Sequence, residues 1–186
     1  MAQKVLLDAC VLYPTVMREI LLGVARAGLF TPLWSARILE EWARAARKIG
    51  PEGEMIARGE IALIEAEFAG ASVRAQPGLE ARLYLPDPND IHVLAAAIAG
   101  SADMILTKNA KDFPRNILSE EGLERRDPDG FLWQLFCDDP VAVMAAAQAV
   151  RTRAEVLSGE AWDMRKLMKK ARLPKLGKAL AAAGSF

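Results

Sequence analysis

The chain opens with a short apolar run, Lys4-Val5-Leu6-Leu7, that stops at Asp8. A run without polar alternation suits a strand buried on both faces, as found inside a parallel sheet. Helical spacing follows in PTVMREILLGVARAG, where Pro14 is allowed in a first turn and Gly28 supplies the stop. Leu29–Trp34 predicts a brief second strand, and Ser35 then offers an N-cap for a helix reaching about Lys48. After Gly50-Pro51 a long helical pattern runs to about Phe68. The stretch Ala71–Leu85 is divided: Ser72-Val73-Arg74 suits an edge strand, and Pro77-Gly78 interrupts it. Pro88–Ala99 predicts a helix closed by Gly100, and Asp103–Thr107 another buried strand. Gly122–Arg126 predicts a last strand in which only Leu123 is apolar. Strand and helix in alternation predict an α/β fold with a parallel sheet and helices on both faces.

From Asp127-Pro128 onward no strand signal recurs. Phe131–Cys137, Pro140–Leu157, Glu160–Ala171 and Pro174–Ala183 all carry helical patterns. The chain therefore divides into an α/β part, residues 1–130, and a helical extension, residues 131–186, too short to bury a full core alone.

Composition narrows the class. With 52% hydrophobic residues and a mean hydropathy of +0.11, the 186-residue chain is a folded domain rather than a disordered one. No apolar stretch approaches the roughly 20 residues that span a bilayer. The segment MAQKVLLDAC lacks a signal-peptide layout, so the expectation is a cytoplasmic protein without membrane contact. Cys10 and Cys137 form no metal-binding spacing and are read as buried small hydrophobes. His92 is the only histidine, which argues against zinc. Trp34, Trp42, Trp133 and Trp162 are read as packing residues. The zero net charge is unevenly spread: residues 151–186 hold nine Lys/Arg against Glu155, Glu160 and Asp163, hence +6, leaving −6 on residues 1–150. An acidic body with a basic tail suits a metal site joined to a phosphate-attracting surface, or a merely solvated helical face.

Four acidic positions fall where a parallel sheet converges its strand and helix ends: Asp8, Glu41, Asp90 and Asp112. Crowded carboxylates repel and raise one another's pKa, so a fold that gathers them usually holds a divalent cation, and oxygen-only ligation points to Mg²⁺ or Mn²⁺. Asp8 closes the first strand, where parallel sheets bind ligands, although it is also placed to make a turn or cap. Glu40 has Arg37, Arg44 and Arg47 at helical spacing and is the solvated acid of its pair. Glu41 borders the stripe Ile38, Leu39, Trp42, Ala46, Ile49 and is the inward one. Asp90 opens the face Val93, Leu94, Ala97, Ile98, with Asp87 read as the N-cap of that helix. Asp112 is placed either to ligate metal or to cap a short turn before Phe113-Pro114, and Thr107 and Asn109 are placed to orient a carboxylate or a water. His92, about 200° around the helix from Asp90, is read as an outer-face residue.

The ordered set VLLDACVL, SARILEEW, PDPNDIHVLAAA and MILTKNAKDF resembles the PIN-domain nucleases, and more narrowly the VapC-type ribonuclease toxins, over roughly residues 3–130. The stretch from DPDGFLWQLF onward resembles the helical extension of one subgroup of these toxins. The resemblance implies a three-layer α/β/α sandwich. It implies a Mg²⁺- or Mn²⁺-dependent endoribonuclease, restrained by a protein antitoxin and dimeric with a second copy. Asp8, Glu41 and Asp90 match the family's first three acids; Asn109 stands where many relatives have Asp, which implies either Asp112 as its substitute or a site of three strong ligands with a weaker second metal. Ala9-Cys10 replaces a common Thr-Asn pair. Haloacid-dehalogenase-like phosphatases need a second Asp where Cys10 stands, and phosphoacceptor receivers need a middle-strand Asp that residues 50–85 lack. A non-catalytic interaction module on the same fold, and an RNA-processing nuclease without antitoxin, are the alternatives.

Overall fold

The computed structural model describes residues 2–184, so residues 1, 185 and 186 of the expected ranges lie outside the described residues. In chain order the elements are β1 (Gln3–Leu7), α1 (Ala9–Leu12), α2 (Thr15–Arg26), β2 (Phe30–Ser35), α3 (Ala36–Ala45) and α4 (Gly53–Glu67). These are followed by β3 (Ser72–Val73), α5 (Pro77–Glu80), α6 (Ile91–Ala99), β4 (Met104–Leu106), α7 (Arg115–Glu120) and β5 (Glu124–Arg126). The chain then turns wholly helical through α8 (Pro128–Asp138), α9 (Pro140–Ser158), α10 (Met164–Lys170) and α11 (Pro174–Ala183). Short 3₁₀ turns at Ala46–Ile49 and Pro88–Asp90 extend α3 and introduce α6.

The chain forms two compact units. The first, residues 1–13 and 30–126, is the α/β sandwich: a central parallel sheet in the order β3-β2-β1-β4-β5, flanked by helices. β1 lies at its centre, and Val5, Leu6 and Leu7 are fully buried, each contributing roughly 1.5–3 kcal/mol by burial. Met104, Ile105 and Leu106 of β4 are equally enclosed. Pro32 is tolerated in β2 because β3 reaches only Trp34 and Ser35, leaving β2 an edge at the proline. Ser35 caps α3 as expected, its Oγ accepting from the Ile38 N–H at 3.3 Å.

The second unit, residues 14–29 and 127–186, is helical: α2 packs on α9, α8 on α9 and α11, and α10 on α11. A single cut near residue 130 does not describe this division, because α2 groups with the C-terminal helices. Gly28 adopts φ 81° just beyond α2, the left-handed position that ends the helix.

Several expectations change. α8 begins at Pro128 with Asp127 as its cap, and the pattern over Glu160–Ala171 yields only α10, capped by Asp163. The short helices α1, α5 and α7 span four to six residues, too few for a period to register. Ile49 is 70% exposed rather than part of the inner stripe, and Trp133 is 43% exposed. Cys137, in the last turn of α8, is exposed rather than buried. Among the described residues no helix is long and apolar enough to cross a membrane.

Candidate metal centre

The parallel register sets Leu7 of β1 beside Leu106 of β4, so the residues that follow, Asp8 and Thr107, emerge together at the carboxyl edge of the sheet. Backbone bonds fix both: Asp8 N–H donates to the Leu106 carbonyl at 3.2 Å, and Thr107 N–H to the Arg126 carbonyl at 3.1 Å. Thr107 Oγ1 donates to Asp8 Oδ2 at 2.6 Å, and the Cys10 thiol donates to the same oxygen at 3.0 Å. Asn109 N–H in turn donates to Thr107 Oγ1 at 3.0 Å. Asp8 caps α1 through its backbone carbonyl, not its side chain. The buried carboxylate therefore spends Oδ2 on the protein, while Oδ1 accepts no hydrogen bond from a described residue.

Cys10 is no inert hydrophobe. It is half-buried, accepts the Lys108 N–H at 3.2 Å, and its thiol is pushed up to about 12 by burial and then by the Asp8 charge. The thiol is thus a fixed donor to Asp8.

Across from this pair, one oxygen from each of Asp87, Asp90 and Asp112 lies within 4.8 Å of the others. Asp90 stands at the junction of the 3₁₀ turn and α6 without a side-chain capping bond. Burial, then the charges of Asp8, Asp87, Asp112 and Glu41, push its carboxyl up from 3.8 to about 6. The Asn109 side-chain amide donates to Asp112 Oδ2 and approaches Asp90 Oδ2 at 3.5 Å. Asp87 does act as the expected cap, accepting from the Asn89 N–H at 2.9 Å, but it also belongs to the acidic group.

Glu41 takes a separate position. Its Oε1 lies 3.6 Å from Arg37 Nε and 2.8 Å from His92 Nε2, and its side chain is 39% exposed. Asp8 and Glu41 stand outside the group of three, yet both charges reach Asp90. Glu40, at 35% exposed, is no more solvated than Glu41, and its bonds to Arg44 and Arg58 draw its carboxyl down to about 2, so partners rather than burial tell the two acids apart. His92 departs from the outer-face expectation: it is 4% exposed and abuts Glu41, off the direction of a hydrogen bond. The reason is that α6 buries six consecutive residues, His92–Ala97, so the face opposite Asp90 is also interior.

An oxygen-only donor set with one carboxyl pushed up to about 6 by burial and by its acidic neighbours is the arrangement a divalent cation relieves. The sequence matches the family model of the PIN domain over residues 4–111, whereas no curated protein and no solved structure matches it. The matched stretch takes in Asp8, Glu41, Asp87, Asp90, Thr107 and Asn109, and stops one residue short of Asp112. More than half the chain lies inside that match, and with the parallel sheet and its carboxylate edge it places the protein in the PIN-domain family.

Proposed function

We propose that this protein is a Mg²⁺- or Mn²⁺-dependent endoribonuclease, the toxin of a type II toxin–antitoxin pair, working in the cytoplasm as a homodimer under restraint by a protein antitoxin. PIN domains are generally nucleases that use divalent cations. The observation that carries the reading is the approach of Asp87, Asp90 and Asp112 beside the buried Asp8, with the Asp90 carboxyl raised to about 6. Asp90 and Asp112, with Asp87 from the same group and Asp8 beside them, would hold the cation, and Glu41 would ligate it or orient water. A bound cation would supply a nucleophile at neutral pH and charge neutralisation at the scissile phosphate. Thr107 and Cys10 hold Asp8 Oδ2, which would leave Oδ1 for a cation, and Asn109 holds Asp112 beside Asp90.

A second reading, a catalytically impaired interaction module, is favoured by Asn109 alone. Its neutral amide bonds Asp112 and approaches Asp90, easing the crowding without a metal. The test is incubation of total RNA with the purified protein and Mg²⁺ or Mn²⁺, beside Asp8→Asn. Discrete metal-dependent fragments that vanish in the variant are expected. Intact RNA at high protein concentration, with no metal uptake by calorimetry, would favour the interaction module.

A further inference from the structure

Four arginines of the α/β unit are neutralised in place by carboxylates. Arg44 and Arg58 bond Glu40, Arg47 and Arg58 bond Glu54, and Arg82 bonds Glu121. The last two helices of the helical unit behave differently. Arg165, Lys166, Lys169, Lys170, Arg172, Lys175 and Lys178 are all exposed, and none forms an ion pair with a described residue. After Asp163, whose side chain accepts the Lys166 N–H at 2.8 Å to start α10, no further Asp or Glu occurs in the sequence. Such unpaired like charges repel one another, which a protein retains at least cost where an external polyanion neutralises them.

The helix pair that carries them is anchored within its unit. Buried Asp129 of α8 accepts the Lys175 N–H at 2.9 Å and the Leu176 N–H at 3.0 Å, satisfying the start of α11. Gly177 permits close packing, since a Cβ there would lie 2.7 Å from Met168 Cβ. Arg172 turns the chain between the helices at φ 61°.

A stacking surface adjoins the charges. Trp162 is half-buried and fixed at two points: its backbone N–H donates to Glu155 at 3.0 Å and its indole N–H to Ser158 Oγ at 3.0 Å. Lys170 Nζ lies 4.8 Å from the ring centroid. The indole lines a mainly apolar groove of about 410 Å³ with Val16, Met17, Leu157, Leu167 and Lys170, ample for a nucleobase.

We infer that α10, α11 and the Trp162 groove form a binding site for single-stranded RNA, in which the seven cations follow the phosphates and the groove receives an unpaired base. Fixed aromatic surface beside a run of free cations is the combination that single strands require. An acidic protein segment would match the charge, but the carboxylate-free run of seven cations extends well past the groove that would hold its apolar residues. The inference rests on reading the protein as an RNA-cutting enzyme.

The test uses the full chain carrying Asp8→Asn, so that RNA stays intact, and a fluorescent single-stranded oligoribonucleotide of mixed sequence. Binding is followed by anisotropy between 50 and 200 mM salt, with and without Lys166→Gln, Lys169→Gln, Arg172→Gln and Lys175→Gln combined. All four sites are exposed, so folding is retained, which circular dichroism verifies. Affinity should fall by at least about tenfold, and the slope of log affinity against log salt should flatten by up to about 3. Trp162→Ala should weaken binding with the slope unchanged. In the chain with Asp8 intact, the four substitutions should raise KM for RNA cleavage and leave kcat in place. Unchanged affinity and slope, with cleavage intact, would overturn the site and leave the nuclease reading standing. Salt-dependent binding through these residues in a protein that cuts no RNA would keep the site and remove the nuclease reading.

Discussion

Replacing Asp90 by Asn tests the electrostatics of the carboxylate edge without presupposing catalysis. The Asp90 carboxyl titrates near 6 instead of 3.8, because burial and the charges of Asp8, Asp87, Asp112 and Glu41 disfavour its ionised form. That rise corresponds to about 3 kcal/mol of ionisation free energy at 1.36 kcal/mol per pH unit. The side chain is only partly buried, and solvent screening brings the contribution to about 1–2 kcal/mol. Losing a favourable charge at the α6 N-terminus offsets a few tenths more. The sign follows from linkage: the folded state holds the Asp90 proton more tightly than the unfolded state, so the stability it lends is present below pH 3.8 and lost as pH rises through 6. In metal-free buffer, Asp90→Asn should therefore melt about 3–6 °C above the parent at pH 7.5, with the gap closing by pH 4. Mg²⁺ should reverse the order at pH 7.5, since a cation at 100 times its Kd stabilises the parent by about 2.7 kcal/mol and the variant by much less. Thermal unfolding in EDTA and in Mg²⁺, at both pH values, measures all of this. A gap independent of pH, or a variant less stable than the parent at pH 7.5 in EDTA, would refute the argument from crowded carboxylates.

Thr107→Val keeps the shape of the side chain but removes the 2.6 Å donor to Asp8 and leaves the Asn109 N–H without an acceptor. Calorimetric Mg²⁺ affinity should drop by about 10–100-fold, with Thr107→Ser close to the parent; equal affinity in Thr107→Val would contradict the positioning role. At pH 8 the native protein should take up one equivalent of a thiol reagent quickly, at exposed Cys137, and the second only in denaturant, because the Cys10 thiol is pushed up to about 12. Rapid labelling of both thiols in the folded protein would contradict that assignment. Asp129→Ala should destabilise the helical unit by about 1–3 kcal/mol by stranding the Lys175 and Leu176 N–H groups. Amide hydrogen exchange should show α11 losing protection first; uniform loss along the chain would argue against a local cap.

The sheet was legible because its centre is written in uninterrupted apolar runs. Val5–Leu7 and Met104–Leu106 have no polar position to fix a face, and a strand enclosed on both sides needs none. The same reasoning applied to α6 explains the one misplaced ring. Counting around the helix sets His92 opposite Asp90, and the assumption that the opposite face meets water fails because IHVLAAAIA has no other polar residue to present there. The absence of a polar stripe was the available signal, for a helix apolar all round is buried all round. The grouping of α2 with the C-terminal helices had no such signal, since helical periodicity reports that one face is buried but not what buries it.

The acidic site divides along similar lines. Asp8 and Asp90 follow from position, one at a strand end and one opening a buried helix face. Asp87 was read as a cap and is one; a single carboxylate has two oxygens, and satisfying the Asn89 N–H with Oδ1 does not prevent the side chain from standing within reach of Asp90 and Asp112. Capping and ligation are compatible roles, so finding the first should not close the search for the second. Cys10 makes the complementary point. Its thiol replaces an amide in the motif the sequence resembles, yet it remains a donor to Asp8 because burial beside that carboxylate keeps the proton on sulfur. A donor to Asp8 is thus present through a group whose chemistry only its surroundings reveal, and Cys10→Ala should loosen Asp8 more than Cys10→Ser does.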